Sequence, residues 1–141
     1  MDALDLTKAP PRGPREQLAG LVMLPRTIDK VRATLPGGSP GEYHVSGLSQ
    51  RLLDALGIDL EALTQAVRDA AGDDDVAQWV SAHSDPSKYP EINEAMENRA
   101  QSRMDAGARA VFEEKYGADV RVHDKLFDVM EADDRKTFAA S

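Results

Sequence analysis

The stretch that decides the fold runs from Asp5 to Leu35 and reads DLTKAPPRGPREQLAGLVMLPRTIDKVRATL. It combines a proline-punctuated start, a ladder of apolar residues and a group of basic side chains. Proline lacks a backbone donor and fixes its own backbone angle, so residues 1–14 are predicted to form an extended arm. Any helix in this stretch is therefore expected to start at or after Pro14.

Two short helices are predicted to follow the arm. Pro14 suits the first position of a helix that runs to about Leu24, and Pro25 opens a second helix that ends at Leu35. A break before Pro25 avoids the cost of about 3 kcal/mol for a proline inside a helix. The apolar side chains recur at steps of three and four residues, which places an apolar stripe on each segment: Leu21, Leu24, Ile28, Val31 and Leu35.

The remaining sequence predicts more helices, separated by two main loops. Residues 36–47 (PGGSPGEYHVSG) and residues 83–90 (HSDPSKYP) are rich in the residues that form turns. Gly57 and Gly72 are predicted helix stops, and Gly107 is a predicted kink or break. We expect an all-α fold of six to eight helices, in one domain over residues 1–141. Apolar spacing predicts the downstream helices over about 49–56, 60–71, 73–82, 91–116 and 120–131.

The composition excludes several classes of protein. The chain has no cysteine, which removes disulfides, thiolate catalysis and cysteine-based metal sites. No apolar run approaches the ~20 residues that cross a bilayer, and the first residues lack the apolar core of a signal peptide. We therefore expect no membrane interaction and a cytoplasmic location.

Charge is distributed unevenly along the chain. The net charge is −8, yet residues 1–32 carry six basic and four acidic side chains, so residues 33–141 carry −10. An acidic body disfavours non-specific binding to nucleic acid, so nucleic acid is not expected as a partner. The basic start and the acidic end, residues 124–134, are complementary.

The opening DLTKAPPRGPREQLAGLVMLPRTIDKVRATLPGGSPGEYH, the segment SQRLLDALGID and the ending LFDVMEADDRKTF resemble an uncharacterised bacterial family, the domain of unknown function 5069. The resemblance covers nearly the full length and is most specific over residues 5–43. One departure is Gly13, where the family usually has serine. Because the family has no assigned activity, the resemblance sharpens the expected fold and leaves the function open.

The best candidate site is a group of charged residues on the second predicted helix. Arg26 and Lys30 are four residues apart and share a helix face, while Asp29 can reach Arg26 or Arg32. With Pro25 opening the helix, Arg26 lies near free backbone donors that prefer anions. The group therefore predicts either an anion-binding site or a structural ion-pair network that tethers the arm or the 36–47 loop.

Two further residues lie close to this group in sequence. Tyr43 and His44 follow it in the glycine-rich loop, and His44 could act as a general base. The alternative for His44 is a solvated side chain or a hydrogen bond to the backbone.

A metal site is not predicted. His83, His123 and Asp124 partly match the ligand pattern of helical metal-dependent phosphohydrolases, but the last aspartate ligand would lie too close in sequence. Asp124 is predicted instead to cap the last helix, and Asp73–Asp75 to cap another helix and to interact with its dipole. No cofactor is predicted.

Two functional hypotheses follow from these patterns. The first is a non-catalytic helical binding protein that acts on a protein partner or forms a homodimer through its complementary ends. The second is an enzyme or sensor for a small anionic metabolite, which Arg26, Lys30 and Arg32 would bind. The absence of a convergent catalytic set favours the first hypothesis.

Overall fold

The computed structural model describes residues 1–139 and confirms the all-α class. The described part contains seven α-helices and one two-stranded hairpin. Short 3₁₀ turns cover Pro86–Lys88 and Gln101–Arg103. The elements in chain order are β1 (Gln17–Leu18), β2 (Leu21–Val22), α1 (Leu24–Ala33), α2 (Leu48–Leu56), α3 (Leu60–Asp69), α4 (Asp73–Ala82), α5 (Tyr89–Glu97), α6 (Ala106–Lys115) and α7 (Leu126–Phe138).

Helix α1 is the centre of the core. Nine of its ten residues are buried, and α2 and α3 pack against it. The predicted second helix is thus confirmed, with bounds one or two residues earlier than expected. Because α1 is surrounded by protein, its charged residues Arg26, Asp29 and Lys30 are buried together with its apolar ones.

The predicted first helix from Pro14 to Leu24 is wrong. The chain forms an antiparallel hairpin there, with the two strands β1 and β2 joined by Ala19 and Gly20. Both turn residues have positive φ, 57° and 81°, as a type I′ turn requires. The Asn93 side chain stabilises the hairpin by accepting from the Val22 amide at 3.0 Å and donating to the Gly20 carbonyl at 2.8 Å.

The long helix predicted over 91–116 breaks, but not at Gly107 as expected, since Gly107 lies inside α6. It is interrupted between α5 and α6, where the backbone pairs with the segment that precedes α7. The Gln101 amide donates to the Asp124 carbonyl and the Leu126 amide donates to the Arg99 carbonyl, both at 2.9 Å. Asp105 then starts α6 by accepting from the Ala108 amide at 2.8 Å.

Several predicted helix ends shift as well. Gly57 ends α2 with φ 70°, as predicted, whereas Gly72 precedes α4 instead of ending α3. The last helix begins later than expected, at Leu126, and continues to Phe138. The predicted 83–90 loop contains a 3₁₀ turn and the first residues of α5.

The N-terminal arm is ordered against the body. Leu6 is buried beside Ala33 and Tyr43. The Leu6 amide donates to the Ser39 carbonyl at 2.8 Å, and the Ser39 amide donates to the Leu4 carbonyl at 3.0 Å. The arm therefore pairs with the 36–47 loop and covers the end of α1.

Arg12 is the main electrostatic anchor of the arm. Its guanidinium donates to Asp29 in α1 at 3.0 Å and to Asp73 at the start of α4 at 2.6 Å. The Arg12 backbone amide also donates to Asp29 at 2.8 Å. One side chain thus joins three parts of the fold.

We expect Arg12→Met to lower the free energy of unfolding by about 2 kcal/mol, because Asp29 would remain buried without its main partner. Urea unfolding measures this change. The matched control is Lys136→Met, which removes an exposed ion pair with Asp119 and should cost no more than about 0.5 kcal/mol. Equal losses in the two variants would contradict the anchoring role of Arg12.

Candidate functional site

The charged residues of α1 divide between two sides of the helix. Asp29 and Arg32 face the arm, where Arg32 donates to the Asp2 carbonyl at 2.9 Å. Asp29 also lies 3.7 Å from Arg32, in addition to its contacts with Arg12. These two residues form the structural network that tethers the arm, and they do not line the cavity that opens beside Arg26 and Lys30.

Arg26 lies on the other side of α1 and is paired with α7. Its two terminal nitrogens donate to the two oxygens of Asp134 at 2.7 and 3.0 Å. Arg26 is 3% exposed and Asp134 is 8% exposed, so this bidentate pair is buried. The anion beside Arg26 is therefore a side chain of the protein itself.

Tyr43 completes this buried group. Its hydroxyl donates to Asp134 at 2.9 Å, and its ring lies under the Arg26 guanidinium at 5.6 Å. Burial and the adjacent Asp134 carboxylate raise the pKa of the Tyr43 hydroxyl well above its usual range. The tyrosine therefore stays protonated and keeps donating.

Lys30 lies one turn after Arg26 and lacks a comparable partner. It is 5% exposed, and its amine makes a single hydrogen bond to described residues, to the Ser49 hydroxyl at 3.3 Å. Within residues 1–139 it forms no ion pair. Burial, assisted by the positive charges of Arg26 and Lys115, lowers the pKa of Lys30 to about 7.

A cavity of about 600 Å³ opens beside these residues. Its walls come from α1, the start of α2, α6 and α7, together with residues of the 36–47 loop. Arg26, Lys30 and Tyr43 all line it, and it is open to solvent on one side. Of the six residues predicted for the site, the structure thus brings these three to one cavity.

The cavity is cationic in an acidic chain. Five basic side chains line it against two carboxylates, although the whole chain carries −8. Among the described residues, only Arg26 of these five has a carboxylate partner. The lining charges are Arg26, Lys30, Arg51, Arg99 and Lys115, with Glu42 and Asp133.

Apolar and aromatic side chains form the rest of the wall. Phe112 from α6, Tyr116 just after the end of α6 and Met130 from α7 are buried and face the same space as the cations. Burial first, and the Asp133 carboxylate second, raise the pKa of Tyr116 to about 12. Burial and the adjacent Asp134 carboxylate also raise the pKa of Asp133. The cavity therefore combines positive charge with an apolar surface.

The histidines lie elsewhere. His44 is exposed and does not line the cavity, although its neighbour Tyr43 does. His83 stacks on Trp79 with ring centroids 4.2 Å apart. Over residues 1–139, no three metal-binding side chains are grouped as a metal site requires.

Asp124 does not cap α7 as predicted. Its carboxylate accepts from the Ser102 amide and hydroxyl, both at 3.0 Å, and so holds the 3₁₀ turn before α6. Asp73 lies inside the first turn of α4 and binds Arg12, so its role as a helix cap is also corrected.

Sequence reasoning missed several of the cavity residues. Asp134, the buried partner of Arg26, is predicted only as one of the acidic residues 124–134 that complement the basic start, and its position near aromatic residues in the ending that resembles the family is the one signal that could have drawn attention to it. Arg51 and Lys115 occupy ordinary positions on amphipathic helices. No spacing in the sequence indicates that they converge on Lys30.

The fold and the site together define an all-α protein with a cation-lined, partly apolar cavity. Its sequence matches the family described as domain of unknown function (DUF5069) over residues 8–136, and the chain belongs to that family. No curated protein matches the chain. None of the helices within residues 1–139 is both long enough and apolar enough to cross a membrane.

The buried pair predicts a strong energetic coupling between α1 and α7. Arg26→Met and Asp134→Leu should each lower the free energy of unfolding by about 3–5 kcal/mol, because each leaves a buried charge unpaired. The double variant should recover a large part of the loss, since neither charge then remains. Urea unfolding of the four proteins measures the coupling, and purely additive losses would contradict it.

Replacement of Lys30 is expected to change the free energy of unfolding in the opposite direction. Lys30→Met should raise the free energy of unfolding by about 2 kcal/mol at neutral pH, because it removes a buried amine without a carboxylate partner. The unfolded chain binds more protons than the folded chain between about pH 7 and pH 10.5, so the gain should be largest below pH 7 and fade toward pH 10.5. Urea unfolding at several pH values tests this, and a gain that is independent of pH would refute the assignment.

Proposed function

We propose that this protein binds a small amphipathic anion, with a carboxylate or a phosphate, in the cavity between α1, α6 and α7. The observation that carries the proposal is the set of cations without carboxylate partners among the described residues: Lys30, Arg51, Arg99 and Lys115. Elsewhere in the same site the protein pairs Arg26 with Asp134. Unpaired cations that share one cavity favour an anionic ligand from outside.

The shape of the cavity supports a ligand with an apolar body. A volume of about 600 Å³ lies within the range typical of small-molecule sites. The anionic group would bind Arg51 and Lys115, while the body of the ligand would pack on Phe112 and Met130. The partial enclosure strengthens each charge interaction, because less water competes for the cations.

The charged residues that suggested a homodimer form ion pairs within the chain. Arg15, which directly follows the arm, binds Asp128 at 2.8 Å and also contacts Glu131, and Arg26 binds Asp134. The basic start and the acidic end, whose complementary charges predicted a homodimer, thus already pair with each other within one chain. A protein partner, a homodimer and a cytoplasmic location stay predictions, and the cavity favours the small-anion hypothesis.

Calorimetric titration with phenyllactate and with phenyl phosphate tests this function and separates the two anion classes. We expect at least one of the two to bind, and the uncharged methyl ester of phenyllactate to bind far more weakly. Arg51→Gln should weaken anion binding about tenfold, as loss of one charge-assisted hydrogen bond predicts. Arg51 forms no ion pair with described residues, so this variant should keep its stability.

The matched control is Arg68→Gln, which removes an exposed cation of α3 outside the cavity. Its affinity for the anion should equal that of the unmodified protein. Binding that is equally strong for the ester, or equally reduced by both substitutions, would contradict an anion site in the cavity.

A further inference from the structure

Lys30 is chemically unlike the other basic residues around α1. The two buried carboxylates near it are already occupied, Asp29 by Arg12 and Asp134 by Arg26. Its amine therefore meets only a hydroxyl, that of Ser49, while lining an open cavity. A lysine that served only to stabilise the fold would be expected to have a carboxylate partner at this depth.

The surroundings also favour the neutral amine. Lys30 is almost fully buried, and the guanidinium of Arg26 and the amine of Lys115 disfavour its positive charge. Desolvation and adjacent cations are the two conditions that turn lysine into a nucleophile, because only the neutral amine has a free electron pair. At neutral pH a large fraction of Lys30 would be uncharged, in accord with its pKa of about 7.

We infer that Lys30 forms an imine with the carbonyl group of an oxo acid held in the cavity. This inference rests on the proposed function, since the cavity cations would bind the acid group of the same ligand. The 2-oxo acids with an apolar side chain are the substrate class that fits. Their carboxylate and carbonyl groups are adjacent, so the carbonyl can lie at Lys30 while the carboxylate binds the neighbouring cavity cations. Their side chain would pack on Phe112.

The chemistry needs no co-reactant. The electron pair of the Lys30 amine attacks the carbonyl carbon, a carbon–nitrogen bond forms, and the carbonyl oxygen takes up a proton to give a carbinolamine. Its hydroxyl then leaves as water after a second protonation, and the nitrogen releases its own protons in the two steps. Amine and ketone thus yield an imine and one water. Asp133 lines the same cavity, and its raised pKa suits a group that supplies and recovers protons.

Trapping with a hydride donor tests the imine directly. The protein is incubated with phenylpyruvate and sodium cyanoborohydride near neutral pH, digested, and mapped by mass spectrometry. Reduction of the imine leaves a stable secondary amine. We expect the adduct on Lys30 to form at least about tenfold faster than on Lys88, which is exposed and lies outside the cavity, because Lys30 has the desolvation, the adjacent cations and the bound oxo acid that Lys88 lacks.

Phenyllactate separates this inference from the proposed function. It carries the same carboxylate and ring as phenylpyruvate but has a hydroxyl in place of the carbonyl, so it should bind and protect Lys30 without forming an adduct. If phenyllactate binds with the Arg51 dependence given above and phenylpyruvate leaves Lys30 unmodified, the imine is refuted while the anion site stands. If phenyl phosphate binds and neither acid does, the imine is likewise refuted; if none of the three compounds binds, both proposals fail.

Two variants complete the test. Lys30→Met should abolish the fast adduct, while phenyllactate should still bind, more weakly than to the unmodified protein, since Arg51, Arg99 and Lys115 remain. Lys115→Gln should slow trapping at Lys30, because the removal of a neighbouring cation lets the amine hold its proton more tightly. Fast labelling that persists in Lys30→Met, or maps to another lysine, would overturn the inference.

Discussion

The buried ion pair between Arg26 and Asp134 is the contact on which the rest of this structure depends. It joins the central helix α1 to the last helix α7, and Tyr43 binds the same carboxylate from the 36–47 loop. These three side chains come from parts of the chain that are far apart in sequence. Their convergence fixes the back of the cavity. Apolar packing alone would not specify this charge arrangement.

The same pairing explains the state of Lys30. Two buried carboxylates, Asp29 and Asp134, could have paired with Lys30. Arg12 instead binds Asp29 and Arg26 binds Asp134, each through bidentate contacts. A planar guanidinium matches a carboxylate better than a single amine does. Lys30 consequently has a hydroxyl as its partner. It lies beside an open cavity, and the other cations there disfavour its positive charge. The proposed anion site and the proposed reactive amine thus have one physical origin.

The sequence predicted what depends on local pattern. The helical class, the extended arm and the helix opened by Pro25 followed from proline placement and apolar spacing, and the structure bears them out. The hairpin was missed because its turn has alanine at one of the two positions with positive φ, where asparagine or glycine would have given a signal. The break between α5 and α6 was missed because backbone pairing with residues before α7, which no local pattern encodes, outweighs helix propensity there.

The candidate site was predictable only in part. The four-residue spacing of Arg26 and Lys30 placed both on one face of α1, and Tyr43 joins them. Asp29 and Arg32 belong to the arm instead, because Arg12 approaches α1 from that side. The partners from α2, α6 and α7 could not be predicted, since their convergence depends on tertiary packing. His44 shows the same limit, as it follows Tyr43 in sequence and yet lies exposed outside the cavity.

The most direct test of this account is an NMR titration of Lys30, followed through the carbon next to its amine with and without phenyllactate. The account predicts a midpoint near pH 7 in the free protein, which moves upward when the anion binds and stabilises the charged form. A midpoint near pH 10.5 that does not respond to the anion would mean that the amine is well solvated or paired. That result would contradict both the cavity site and the chemistry proposed for it.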